Sequence, residues 1–462
     1  MIVEQYYLGC LSQASYLVAD ETSGVAAVVD PRRDIGAYLD DAEARDLKIA
    51  YVLETHFHAD FVSGHLELAA ATGAEICYGA AAVTDFPVRH LRHGERLALG
   101  DVVIECRATP GHTPESVCYV VYERADDTSP YAVLTGDTLF VGDVGRPDLL
   151  AAAGATPESM ARELYRSLHR ELLSLPAETR VYPAHGAGSA CGRSLSAETW
   201  STIGEQRVTN YALRLPDEQS FVAAVTEGQP APPPYFAVDS VLNRQQRPLL
   251  DEDEPPPALS VDDVLTLMAD GAQVIDTRPP HEFAAGHLRG SVNVGLEGRF
   301  AEQAGDVLDA RRPIVLVADD GHELEPRVRL ARVGYDRVVG FLAQPETAFV
   351  DRADLVATAS RLRADELSDR LADVENLVVV DVRNPGELEA GMIPDAVSVP
   401  LPAFRGEMER LDPTRPTVVY CAGGYRSSIA ASVLRAEGFA DVSDLIGGYA
   451  AWAIVSPSKP RR

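Results

Sequence analysis

Basic charge is what this 462-residue sequence has least of. Lys48 and Lys459 are its only lysines, and 41 basic residues face 70 acidic ones, a formal net charge of −29. That deficit excludes the broad basic surfaces that nucleic acids and anionic membranes select. An anionic substrate would need arginines of its own. No apolar run approaches the roughly 20 residues that span a bilayer. The opening MIVEQYYLGCLSQAS lacks the basic-then-apolar order of a secretory leader, so a cytoplasmic protein is expected. Paired cysteines are missing too: Cys10, Cys77, Cys106, Cys118, Cys191 and Cys421 form no CxxC, which argues against a disulfide framework. Cys77, Cys106 and Cys118 lie in or beside apolar runs and read as core. Cys191 and Cys421 lie among glycines instead.

The length suggests about three domains. From residue 1 to about 250, short strands such as GVAAVVDP and IAYVLETH each lead into a polar loop. TPESMARELYRSLHRELLSL has helical periodicity, with Thr156 as N-cap and Pro157 in the first turn. The acidic, proline-rich DEDEPPPALS reads as a linker. Beyond it the chain repeats itself. VIDTRPPHEFAAGHLRGSVNV (274–294) lines up with VVDVRNPGELEAGMIPDAVSV (379–399), and PIVLVADDGHE (313–323) with PTVVYCAGGYR (416–426). The βα alternation of each copy predicts a parallel sheet with helices on both faces.

Chemistry concentrates at predicted strand ends. ETHFHADFVSGH carries His56, His58 and Asp60; TPGHTPES adds His112, LTGDTLF Asp137 and VYPAHGAGS His185. Imidazoles and carboxylates in that order make a metal site, suited to zinc or non-haem iron. Phe61 stands where a histidine would complete the two-metal signature HxHxDH, and phenylalanine ligates nothing. A second ion therefore loses a neutral donor.

The motif order resembles the metallo-β-lactamase superfamily, which implies an αββα sandwich over residues 1–250. Within it, the single-iron persulfide dioxygenases keep the first His of HxHxD, the His of GHT and the Asp of GD, here His56, His112 and Asp137. The resemblance implies one mononuclear Fe(II) per chain on a facial triad, with positions left for a sulfur and O2. His58, Asp60, His185 and Tyr182 would then be outer groups that orient ligands and bound water, or relics of a two-metal ancestor. In VGDVGRPDLL, Arg146 matches an arginine that helps hold substrate in that family; pairing with Asp143 and Asp148 is the alternative.

VVYCAGGYRSSIAASVLRAEG places Cys421 at a strand end, then Ala422, Gly423, Gly424, Tyr425 and Arg426, then a helix predicted to start near Ser427. Loop N–H groups, a helix N-terminus and Arg426 together favour a thiolate and make Cys421 a nucleophile and persulfide carrier. The stretch resembles the rhodanese active loop. Asp381, Arg383 and Glu387 are expected to pair behind it. In the preceding copy Ala318 replaces the cysteine and Glu323 the arginine, so that copy resembles an inactive pseudo-rhodanese, with Asp276, Arg278 and His287 as fold residues. The expected domains are 1–250, 258–355 and 364–462, the last two α/β. Cys191 lies in GAGSACG, similar to a stretch of persulfide dioxygenase–rhodanese fusions, and is a candidate relay thiol or a packing residue.

The resemblance implies sulfide detoxification. A low-molecular-weight persulfide and O2 give sulfite, and Cys421 passes sulfane sulfur to sulfite to give thiosulfate. The partners implied are small molecules and a second copy of the chain, with no nucleic acid or membrane. Two other readings stay open at this point: a glyoxalase II-like zinc thioesterase fused to a sulfurtransferase, and a non-enzymatic sulfur carrier or sensor.

Overall fold

In the computed structural model the chain divides into two compact units, Met1–Pro232 with Phe236–Asp251, and Pro233–Tyr235 with Glu252–Arg462. Residues 1–149, 155–193, 195–229 and 231–455 are described; the end of the third expected domain, including Lys459, lies outside the described residues.

The first unit is built on two six-stranded sheets. One runs β1 (Ile2–Leu8), β2 (Gln13–Asp20), β3 (Val25–Val29), β4 (Lys48–Leu53), β5 (Glu75–Gly79), β6 (Arg89–Leu91). The other holds, from edge to edge, β12 (Ser201–Thr202), β11 (Arg180–Pro183), β10 (Ala132–Gly136), β9 (Val117–Tyr122), β8 (Val103–Ala108), β7 (Arg96–Ala98). The two-residue period of a strand sorts their side chains into layers. On β2, Ala14, Tyr16 and Val18 point into a core shared with Tyr119, Val121 and Leu134 of the facing sheet, while Leu17 and Ala19 point the other way. There they meet Tyr38 and Ala42 of α1 (Gly36–Ala44) and Leu68 of α2 (His65–Thr72). On β9 the same alternation sends Cys118 and Val120 toward Leu164 of α3 (Pro157–Ser167). Both sheets are thus buried on both faces, the αββα sandwich expected from the motifs. Helix α3 opens with the predicted Thr156 cap, whose Oγ1 accepts from the Ser159 N–H at 3.2 Å. Burial pushes the Cys77 and Cys106 thiols up to about 12 and the Cys118 thiol to about 11, leaving them inert core residues.

The second unit holds two five-stranded sheets of one topology, every pair parallel. The first runs Ala258–Leu259, Val338–Leu342, Ile314–Val317, Gln273–Asp276, Val292–Asn293; the second runs Ser360–Leu362, Val442–Leu445, Thr417–Tyr420, Val378–Asp381, Val397–Ser398. The stretch read as linker ends inside the fold. Ala258–Leu259 is an edge strand and the Pro257 carbonyl accepts from Phe341 N–H at 2.9 Å, because proline is tolerated beside an edge where its missing donor is not needed. The two modules share a seam: Asn293 N–H donates to Ser432 Oγ at 2.9 Å, and Tyr425 Oη donates to the Gly295 carbonyl at 2.7 Å. No helix among the described residues is long and apolar enough to cross a membrane.

Candidate metal centre and sulfur-transfer loop

Strands β3, β4, β10 and β11 end at one edge of the sandwich and deliver Asp30, His56, Asp137 and His185 there; the loop after β8 brings His112. Gly136, at φ +51°, turns the chain out of β10 in the left-handed conformation that glycine tolerates best, with Asp137 next in line.

Each buried histidine around Asp137 is oriented through its far nitrogen. His56 Nδ1 meets Thr55 Oγ1 at 2.9 Å, His112 Nδ1 the Arg146 carbonyl at 2.8 Å and His185 Nδ1 the Ser12 carbonyl at 3.1 Å. Their Nε2 atoms converge on Asp137: His56 at 3.9 Å and His112 at 3.5 Å from Oδ2, His185 at 3.4 Å from Oδ1. His56 Nε2 and both Asp137 oxygens are buried with no hydrogen-bond partner among the described residues. Buried polar atoms without partners are costly, and these are donors aimed at one point, as a cation would require. Burial, then the imidazoles of His58, His112 and His185, hold His56 well below the ordinary histidine range, so it offers a lone pair rather than a proton. His56, His112 and Asp137 form one candidate ligand group; Asp60, His185 and Cys191 form a second beside it. Asp60 Oδ2 lies 3.2 Å from His185 Nε2.

The remaining residues singled out in the sequence take different positions. Phe61 packs against His58 with the rings tilted by 34° and their centroids 4.3 Å apart. Tyr182 packs against Tyr16 and Trp200, with centroids at 5.5 and 6.4 Å. The Arg146 guanidinium grips Asp148 with two hydrogen bonds of 2.8 and 2.7 Å, while its backbone carbonyl holds His112. Cys191 is 1% exposed, and burial followed by Asp60 and Asp137 raises its thiol well above the usual range. To act as a relay it would have to open to solvent and lose that proton. Asp30 and Glu54 were missed in the sequence. Both lie at strand ends next to the histidine loop, a position that was the available signal.

In the C-terminal module, Cys421 sits at a strand end, 1% exposed. Its Sγ accepts from the Gly424 N–H at 3.1 Å and lies 3.6 Å from Ser427 Oγ. Gly424, at φ +101°, lets the loop curl back over the sulfur. The helix starts at Tyr425, two residues before the sequence estimate, and runs to Ala436. Glu387 meets Arg383 only through its backbone carbonyl, which accepts from Nη1 at 3.3 Å; its carboxylate turns away from the Asp381–Arg383 pair. It grips Arg426 with two bonds of 2.6 Å at the rim, while Asp381 and Arg383 pair with each other, Nη2 to Oδ2 at 2.6 Å. The 3₁₀ turn Pro385–Ala390 carries Glu387 past the clamp to the loop mouth.

A buried donor set on an αββα sandwich and a cysteine loop on a parallel-sheet module define a metal-dependent protein with an attached sulfurtransferase-type domain. Residues 8–185 match the metallo-beta-lactamase superfamily, and residues 260–344 and 363–454 each match the rhodanese-like domain. The chain belongs to the metallo-β-lactamase superfamily, in a form fused to two rhodanese-like domains. It is similar to a solved metallo-beta-lactamase from Staphylococcus aureus subsp. aureus COL, with 32% identity and TM-score 0.68 over 74% of this chain and 98% of that one. It is 32% identical to the hydroxyacylglutathione hydrolase of Methylococcus capsulatus over 49% of this chain and 82% of that protein. It is 30% identical to the mitochondrial persulfide dioxygenase ETHE1 of Mus musculus over 44% of this chain and 73% of that protein.

Proposed function

We propose that the chain is a non-haem Fe(II) persulfide dioxygenase coupled to sulfur transfer. The observation that carries this reading is the grouping of two imidazoles and one carboxylate, His56, His112 and Asp137, as one candidate ligand set, with His58 Nε2 turned to Asp30 and Glu54. Iron on such a triad supplies one-electron redox chemistry and positions for both a sulfur and O2. Thr55 and the Arg146 carbonyl fix the two rings, so the donors are in place before substrate arrives. The dioxygenase relative supports the reading. The balanced reaction is RSSH + O2 + H2O → RSH + SO3²⁻ + 2H⁺, the terminal sulfur losing four electrons and O2 gaining four. Cys421 then carries sulfane sulfur, and sulfite attacks its outer atom: Cys–S–SH + SO3²⁻ → Cys–S⁻ + S2O3²⁻ + H⁺. The Gly424 N–H and the helix N-terminus stabilise the departing thiolate, and Arg426 stands at the mouth for the oxyanion. The substrate is a small thiol persulfide, and the setting proposed is cytoplasmic.

A second reading has its own support. His185 Nε2 lies between Asp137 Oδ1 at 3.4 Å and Asp60 Oδ2 at 3.2 Å, as a donor to a second ion would, and the hydrolase relative matches as well as the dioxygenase. That reading makes the first unit a two-zinc thioesterase.

The two chemistries separate by mutation. His56→Ala is expected to abolish persulfide-dependent O2 uptake. Cys421→Ser should leave uptake unchanged and lower thiosulfate formation by at least about a thousandfold. Equal loss of O2 uptake in both variants would sink the division of labour.

A further inference from the structure

The middle copy has lost its cysteine, yet its loop borders a cavity of about 230 Å3 at the position where one would stand. Ala318, in the register of Cys421, lies on the cavity wall with Arg278, Leu296, Glu297, Asp319 and Tyr425. Substitution has reversed the charge of the loop. Where the C-terminal copy has Ala422 and Gly423, the middle copy has Asp319 and Asp320. Neither the Asp319 nor the Glu297 carboxylate pairs with a described residue, and both are exposed. Exposed acids alone would make only a solvated rim.

A second observation points inward. Arg278 is 7% exposed and lies on the same wall. Its Nε and Nη2 are taken up by Asp276 and the Gly286 carbonyl. Its Nη1 donates to no described group. In the C-terminal copy the matching Arg383 Nη1 donates to the Glu387 carbonyl at 3.3 Å. The matching Glu282 carbonyl instead accepts from the Gly286 N–H at 3.1 Å, at the end of the short helix Pro280–Ala285. A buried guanidinium therefore brings a spare donor to the cavity, and buried donors are rarely left without an acceptor.

We propose that the cavity of the middle copy binds a small amino acid, its carboxylate accepting from Arg278 Nη1 and its ammonium directed to Asp319 and Glu297. An anion alone would leave the two carboxylates unanswered and bring a third negative charge beside them. An amine alone would leave Arg278 unanswered. The volume falls below the roughly 300–1,000 Å3 of sites for drug-sized ligands, so the occupant is small.

The walls are already in place. The Leu296 N–H donates to the Thr277 carbonyl at 2.9 Å, and the Leu296 carbonyl accepts from Arg329 Nη1 at 2.6 Å. Tyr425 reaches in from the neighbouring module, where its hydroxyl donates to the Gly295 carbonyl at 2.7 Å. A preformed pocket spends little of its affinity on ordering. None of these charged groups enters the reactions proposed above. The middle copy would then be a receptor in the frame of a transferase.

The test is calorimetric titration of the full chain with L-alanine, and with propionate and ethylamine, which each carry one of its two charges. L-Alanine is expected to bind with Kd of about 1 mM or tighter. Each half-ligand should bind at least about tenfold more weakly, since a hydrogen bond to a charged group is lost with either. Asp319→Asn/Glu297→Gln alters two exposed side chains without partners. It should weaken L-alanine by about tenfold and leave propionate within about twofold. Ala318→Leu fills the cavity and should abolish L-alanine binding, with urea unfolding to confirm that the variant is folded. No binding of L-alanine at about 10 mM would overturn the proposal. So would equal affinity for L-alanine and propionate, or L-alanine binding that the double variant leaves unchanged or that folded Ala318→Leu retains.

Discussion

The two rhodanese-like modules share one strand order and one aspartate–arginine pair and differ where chemistry would occur. Asp276 and Arg278 in the middle copy repeat Asp381 and Arg383: the arginine N–H meets the aspartate Oδ1 at 3.1 Å in both, Nε follows at 3.0 and 2.9 Å, and Nη2 reaches the Gly286 or Gly391 carbonyl. Gly321, at φ +83°, stands where Gly424 stands at +101°. The left-handed glycine of the loop is therefore retained in the middle copy, but the following helix starts at Leu324, two aligned positions later than at Tyr425, and the cysteine and arginine are replaced. Where Cys421 and Arg426 work with Glu387, the middle copy has Ala318 and Glu323 against Glu282, so a like charge replaces the ion pair. Its loop borders a cavity of about 230 Å3 lined by Arg278, Glu297, Asp319, His322 and, across the seam, Tyr425. The two modules thus keep one sheet topology around different loop side chains.

The strongest way to break the comparison is to restore the side chains. In a Cys421→Ser background, Ala318→Cys with Glu323→Arg is expected to raise thiosulfate formation by at least about tenfold over the background. Ala318→Cys alone should recover less, since its thiol faces two carboxylates. No gain in either variant would mean that the later helix start also disables the middle loop.

Next in size is the shared clamp. Asp276→Asn and Asp381→Asn each leave a buried guanidinium without its partner carboxylate, at a cost of about 3 kcal/mol. Urea unfolding should show losses matching within about 1 kcal/mol. A loss in one copy alone would show that the modules do not use the pair alike.

The smallest effect is a pH dependence confined to the middle copy. The repeat places His287 opposite Met392. Burial lowers the His287 imidazole to about 4, while its ring stacks on Phe283 with centroids 3.7 Å apart. A histidine lowered on folding binds its proton more tightly when unfolded. Its contribution is therefore whole above the ordinary value near 6.5 and falls away as pH drops toward 4. Protection factors over 273–342, corrected for the intrinsic exchange rate at each pH, should fall through that window, and His287→Met should flatten the response. An unchanged pH profile in the variant would assign the effect to another group.

Much of this was legible in the sequence, for physical reasons. Strand-end histidines and carboxylates announce themselves because a buried strand is apolar and its polar terminus stands out, as at His56, Asp137 and His185. The repeat was legible because Asp-x-Arg and the closing Val-x-Val must recur to build the same clamp and sheet. What escaped depends on tertiary approach. Asp30 lies 26 residues before His56 and meets it only because β3 and β4 pair in parallel. Asn243 braces the His58 loop from far along the chain. The ring neighbours of Tyr182, Tyr16 and Trp200, also lie far from it in the sequence. The Glu387 carboxylate pairs with Arg426 rather than with Arg383, since a sequence does not show which way a short 3₁₀ turn carries a side chain.

The central claim is that three donors hold one redox-active ion. Metal analysis of anaerobically purified full-length protein, paired with O2 uptake on adding a small thiol persulfide, tests it most directly. The account predicts about one iron per chain and one O2 consumed for each sulfite formed. Two tightly held zinc ions, with thioester cleavage that proceeds unchanged in the absence of O2, would contradict it.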